Sequence, residues 1–307
     1  MHFNEYLRSC REHINLTQEQ LVHNLYDHDN QNFTGLDTNT LSKWERNTVT
    51  PKLVRQVSIL KFFQKQTGYA LPCLQKYSVE ETEKLICRIG MYSLLGKSKS
   101  LMMNYPSFDG PHGLSIHHLR NSKNMESIIK VNLGFDKTFN HNTTGLSYEQ
   151  IKEWAFFPGN SLFYCEYRGQ FFGLLFTVRL KPEVFDKLMN HEIAERDLTY
   201  TDFASFEEMG SNYIFSFFSM NEKAATLLFV RYYAHIIANQ EVIQEVGVAT
   251  MMQEAKKLIG NMNFKYYASD IREEGLVLQT YRSDLANFLA SERVLKMLLS
   301  KEECPPD

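Results

Sequence analysis

The stretch NSLFYCEYRGQFFGLLFTVRL, residues 160–180, sets two apolar, aromatic runs on either side of Arg168, Gly169 and Gln170. Short apolar runs split by a turn tripeptide predict a β-hairpin. A lone hairpin is marginal in water, so the chain must also supply further strands and a cover for the apolar face. NYIFSFFSM and FKYYAS read as further buried strands, and VIQEVGVATM as an ordinary one. EKAATLLFVRYYAHIIA and MQEAKKLIG have the length and spacing of helices. The strand texture begins near residue 146.

The first part of the chain has the helical period instead. Phe3, Tyr6, Leu7, Cys10 and Ile14 recur every three or four residues, one buried helix face. Thr17 with Gln20 makes a capping box for a second helix. YDHDNQNFTG then interrupts the pattern until Asp37 offers a new N-cap. Pro51 suits the first turn of the next helix, KLVRQVSILKFFQKQ, because its missing N–H costs nothing there. SVEETEKLICRIGMYSLL, from Ser78, opens with its own cap and acids in the first turn. A Gly-, Pro- and Asn-rich segment between Gly96 and Gly113 marks a boundary. At 307 residues, two domains are expected.

The longest apolar runs fall short of the roughly 18 residues of a membrane span, and the N-terminus lacks the apolar core of a secretion leader. Cytoplasmic location and no membrane partner are the expectations. Cys10, Cys73, Cys87, Cys165 and Cys304 are scattered without CxxC spacing, which argues against zinc knuckles and disulfides. His112, His117 and His118 have no ligand partner at metal spacing, so no metal is expected. GMYSLLGKSKS is not a phosphate loop, since five residues rather than four separate Gly90 from Gly96.

The net charge of −3 gives no overall pull toward nucleic acid, yet Lys43 to Lys65 holds six bases (Lys43, Arg46, Lys52, Arg55, Lys61, Lys65) against Glu45 alone. LRSCREHINLTQEQL and GLDTNTLSKWERNTVTP, just before and within this segment, resemble the XRE (phage-repressor Cro/CI-like) helix-turn-helix family. The resemblance covers residues 3 to 67. It implies that Leu41 and Trp44 anchor the recognition helix inward and that Glu45 pairs with Arg11. It places Thr38, Asn39, Thr40, Ser42 and Lys43 at the DNA face, with Thr17, Gln18 and Arg46 on phosphates. Asn47 stands where the family has Gly, and the stretch from Leu21 to Gly35 is longer than the family's turn.

Residues 146 to 290 resemble the GNAT family of N-acetyltransferases in the order of their elements, with Gly173 near the start of the second hairpin strand. Active members carry a Gln/Arg-x-x-Gly-x-Gly/Ala loop between the central strand and its helix, which cradles coenzyme A. This chain has SMNEKAAT there, without Gly. The resemblance implies a ligand site at Met220, Asn221, Lys223, Ala224, Ala225 and Tyr232. QEVGVA, with Gln244, Gly247 and Ala249, matches the loop formally and is the alternative, at the cost of an inserted helix. No catalytic residue is assigned; Glu207, Glu208, Tyr232, Tyr233 and His235 are in the right neighbourhood.

The expected fold class is α+β and multidomain. An all-α helix-turn-helix domain spans 1–70, a helical linker and dimerisation segment 71–113, and a mixed α/β GNAT-like domain 114–300. The expected function is that of a homodimeric transcription regulator that binds double-stranded DNA, its C-terminal domain sensing a small hydrophobic or acyl ligand. The alternative is an N-acyltransferase that uses a coenzyme A thioester and carries a targeting domain.

Overall fold

The computed structural model describes residues 2–71, 74, 77–95, 114–121, 124–139, 145–272 and 275–298. Up to residue 95 the described regular structure is helical: α1 (Phe3–His13), α2 (Gln18–His28), α3 (Asn30–Phe33), α4 (Thr38–Glu45), α5 (Leu53–Thr67) and α6 (Val79–Leu95). Caps set the boundaries. Thr17 and Gln20 form the reciprocal box on α2, and the Asp37 carboxylate accepts from the Thr40 N–H at 2.7 Å. The segment YDHDNQNFTG, read as an interruption, instead contains α3. Asp29 caps it and also accepts from Ser58 on α5 at 2.7 Å, so tertiary contact stabilises a helix too short to stand alone.

The second half follows as β1 (Leu114–His118), α7 (Met125–Phe139), α8 (Tyr148–Phe156), β2 (Ser161–Tyr167), β3 (Gln170–Leu180), α9 (Pro182–Met189) and β4 (Gly210–Ser219). Then come α10 (Glu222–Ala238), β5 (Ile243–Thr250), α11 (Gln253–Gly260), β6 (Lys265–Ile271), β7 (Val277–Asp284), α12 (Leu285–Leu289) and α13 (Glu292–Leu298). The seven strands form one sheet in the order β1-β2-β3-β4-β5-β7-β6. Every neighbouring pair is antiparallel except β4 and β5.

The period of two in the hairpin divides the core. Leu162, Tyr164, Leu174, Phe176 and Val178 face α7, α8 and α9, while Phe163, Cys165 and Leu175 face α10. Gly173 permits that second contact: a Cβ there would stand 2.7 Å from the Phe218 carbonyl oxygen and 3.1 Å from a Leu228 methyl. Strand structure begins earlier than expected, at Leu114, and two strands differ from their reading. FKYYAS lies in β6, an exposed edge strand rather than a buried one, and β7 is polar enough to have escaped notice.

The helical half is not detached. One continuous core runs from Phe3 and Trp44 through α5 and α6 to α10, α12 and α13. The buried Gln64 amide donates to the carbonyls of Ala70 and Ala286, and Gln240 on the far side accepts from the Leu71 N–H at 2.8 Å. Within the expected linker, α6 lies along α10 and is tied to it by Glu83, which meets Arg231 at 2.8 Å. Cys10, Cys87 and Cys165 are buried. Cys73, Cys304, His112 and Gly96 lie outside the described residues. Among the described residues no helix is long and apolar enough to cross a membrane.

Candidate functional site

The one parallel pair of the sheet opens a notch on the surface of the C-terminal half. β4 and β5 pair from Gly210 with Ile243 to Ile214 with Val248. Beyond that point β4 stays on β3 as far as Ser219, and β5 stays on β7 as far as Thr250. The strands part, and the backbone between them encloses a notch of about 270 Å³. Phe215, Phe217 and Phe218 of β4 line it, with Val248 of β5, Phe229 of α10 and Ala255 of α11. Phe217 and Phe229 pack with ring centroids 4.7 Å apart, and Phe215 is held edge-on by Trp154 and Phe176. Asn132 of α7 and Ser216 bring polar atoms to this wall, with Ser216 Oγ donating to Asn132 Oδ1 at 2.7 Å.

A second cavity of about 60 Å³ shares Phe215, Ala249 and Thr250 with the notch and adds His191, Glu195, Tyr213 and Arg272. Tyr213 donates to Glu195 Oε1 at 2.5 Å. Burial, reinforced by the Glu195 charge, pushes the Tyr213 phenol well above its ordinary range and keeps it a donor. Burial lowers His191 below the usual imidazole range, so the ring is neutral at pH 7. The two cavities together set an apolar chamber beside a small polar one.

The residues expected to bind ligand do not line the notch. Met220, Asn221 and Lys223 are exposed at the corner between β4 and α10, just past the Phe217 and Phe218 end of the notch. Asn221 Oδ1 caps the Ala224 N–H at 2.9 Å, its carbonyl accepts from Ala225, and the Met220 N–H is spent on the Phe172 carbonyl. Tyr232 is buried inside the sheet–helix interface, donating to Asn212 at 2.9 Å, and does not line the notch.

The alternative coenzyme A loop is corrected outright. Gln244, Gly247 and Ala249 lie within β5, Gly247 and Ala249 in register with neighbouring strands and Ala249 also on the notch wall. Gly247 serves packing: a Cβ there would stand 2.6 Å from the Phe185 ring and 2.9 Å from Met189 Sδ. The neighbourhood candidates for catalysis are also placed away from the notch. Glu207 and Glu208 are exposed before the start of β4, with Glu208 accepting from the Ser205 N–H at 2.7 Å. Tyr233 stacks on Phe288. His235 of α10 sits between Glu83 Oε1 of α6 and Ser161 Oγ of β2, 3.3 Å from each.

In the helical half, Leu41 and Trp44 are buried, and Arg55 lies over the indole at 5.8 Å. Glu45, 8% exposed, receives Arg11 Nε at 2.6 Å and Nη2 at 3.1 Å. Gln18 Nε2 also donates to it at 2.7 Å, which turns that amide inward rather than toward a phosphate. Thr38, Asn39, Lys43 and Arg46 are exposed, Thr40 and Ser42 are half-buried, and the exposed Thr17 caps α2. Asn47 takes the left-handed backbone at φ 60°, a conformation that Asn tolerates.

Comparison with family models and with curated proteins returned no match. Among solved structures, the chain is similar to an N-acyl amino acid synthase from uncultured soil microbes at 10% identity, over 58% of this chain and 94% of that one, with a TM-score of 0.42. It is also similar to a putative acetyltransferase from Salmonella typhimurium solved with acetyl-CoA, at 11% identity, over 57% and 95%, with a TM-score of 0.38. An acetyltransferase from Streptococcus agalactiae gives 11%, over 56% and 99%, with a TM-score of 0.37. Likeness at these scores assigns no activity.

Asn132, Glu195, Tyr213 and Arg272 were not singled out by sequence. Asn132 had one signal, a polar residue on the stripe of Ile128 and Ile129, four and three positions earlier on an apolar helix.

Proposed function

We propose that the C-terminal half is an N-acyltransferase whose acyl chain lies in the notch between β4 and β5. The observation that carries this reading is the separation of the parallel pair beyond Ile214 and Val248, which opens an aromatic-walled chamber next to the cavity of Glu195 and Tyr213. An apolar wall of this kind suits an acyl chain at roughly 0.8 kcal/mol per methylene withdrawn from water.

A coenzyme A thioester is the activated acyl donor that such a reaction requires. The first turn of α10 carries N–H groups outside the helical ladder, which favour an anion. The Ala224 N–H is already capped by Asn221, so the backbone N–H groups of Glu222 and Lys223 and the exposed Lys223 ammonium are the groups left to meet a phosphate. Glu195 accepts the proton that an attacking amine must lose, and Tyr213, held protonated, keeps that carboxylate oriented. Phe215, between the chambers, excludes water from the junction.

Thiol release from octanoyl-CoA, measured with a panel of primary amines, tests the reading. Amine-dependent release that falls at least tenfold in Glu195→Gln supports it. Release that is absent with every amine, or unaffected by Glu195→Gln, counts against it.

A second reading concerns the helical half. The exposed row of Thr38, Asn39, Lys43 and Arg46, at the start of the basic stretch that runs to Lys65, favours contact with duplex DNA, Asn and Lys reaching base edges. A gel shift against a random-sequence duplex pool tests it: selection of a common sequence supports contact, and no retained species argues against it.

A further inference from the structure

The wall of the notch is apolar around one polar point. Asn132 is 3% exposed, lies on α7 and lines the notch. Ser216 Oγ donates to its Oδ1, which fixes the amide plane, and its Nδ2 has no hydrogen-bond partner in the folded chain. Among the described residues, no other buried side-chain atom lacking a partner lies on that wall. A buried amide donor left unmatched is unfavourable, and it is tolerated where a partner arrives from outside.

We propose that Asn132 Nδ2 donates to the carbonyl oxygen of the bound acyl group, so that Asn132 determines specificity for a carbonyl-bearing chain and Ser216 positions it. The inference rests on the acyl reading of the notch. An acyl chain has a single polar group, a hydrogen-bond acceptor, and among the described residues the notch wall offers a single unmatched side-chain donor. The aromatic rings accept the hydrocarbon whatever its head, so they cannot tell an acyl chain from an alkyl chain. The amide can, because an alkyl chain leaves the donor buried and unpaired. The same hydrogen bond fixes how deeply the chain sits and withdraws electron density from the carbonyl carbon.

The test compares two probes that differ only at this group, octanoyl-CoA and its S-octyl thioether, by calorimetry on the full chain. The wild type is expected to bind the thioester about tenfold more tightly, the value of one buried hydrogen bond. In Asn132→Ala the two affinities converge to within about twofold, with thioether binding retained as proof of an intact notch. Asn132→Leu, which keeps the size and removes the donor, also loses the preference. If Asn132→Ala does not fold, Ser216→Ala carries the comparison: a narrowed preference supports the assignment and an unchanged one overturns it. Equal binding of both probes by the wild type overturns the assignment and leaves the acyl notch standing. Failure of both probes to bind overturns the acyl reading and this inference with it.

Discussion

Shortening the notch should shorten the acyl chain that the protein selects. Each methylene moved from water into an apolar site contributes roughly 0.8 kcal/mol, which is about a fourfold gain in affinity. The notch holds about 270 Å³. At roughly 30 Å³ for a group the size of a water molecule, it takes about nine heavy atoms of chain before it is full. Affinity across a series of saturated acyl-CoA donors is therefore expected to rise about fourfold per carbon and to level near eight or nine. Ala255 lines the notch from α11, and Ala255→Phe inserts a phenyl ring that occupies roughly six of those places. The plateau should then move to about three carbons, with acetyl-CoA binding little changed and octanoyl-CoA weakened by two orders of magnitude or more. Calorimetric Kd values for both proteins across the series give both curves. An affinity independent of chain length, or a plateau at the same length in the variant, would refute the assignment of the notch to the chain.

Three further outcomes follow from the geometry. Glu45→Ala leaves the Arg11 guanidinium and the Gln18 amide without their shared acceptor, and should lower stability by about 3 kcal/mol in urea unfolding; a change below about 1 would show the pair to be dispensable. Asn39→Ala with Lys43→Ala, both exposed, should abolish sequence preference on duplex DNA and reduce the salt slope of binding by about one, while leaving the melting temperature in place. His118 accepts from the Arg120 N–H at Nδ1, and burial, aided by the Arg120 charge, depresses its pKa from 6.5 to about 4. Because the unfolded state then binds the extra proton, stability is full above pH 6.5 and falls by about 3 kcal/mol as the pH drops to about 4. His118→Leu should flatten that slope relative to the wild type, and an unchanged slope would contradict the assignment.

Where local chemistry decides structure, the sequence was readable. The two runs around Arg168 and Gly169 predicted the β2–β3 hairpin because apolar density and a turn are local signals. Thr17, Gln20 and Asp37 announced their helices because a cap is written within four residues. β7 was missed because VLQTYRSD is mixed in polarity and is held by neighbours on both sides rather than by its own pattern. β6 was misread because its tyrosines face outward at a sheet edge, where aromatic content says nothing of burial.

The candidate site was legible only in part, for a related reason. That Phe215, Phe217 and Phe218 wall a notch depends on where two parallel strands stop pairing, a property of the whole sheet. Asn132 meets Ser216 across 84 positions of sequence, and Glu195 meets Tyr213 from a loop that no motif marks. The formal match at Gln244, Gly247 and Ala249 misled because a glycine can be required by a phosphate or by a phenylalanine ring, and the sequence does not say which.

Titration of the full chain with octanoyl-CoA reads out directly whether an acyl chain enters the notch. Saturable binding at one site per chain is expected, with the negative heat-capacity change of apolar burial and a large loss of affinity in Ala255→Phe. No heat of binding, or heat that the phenyl ring leaves unaltered, would contradict it.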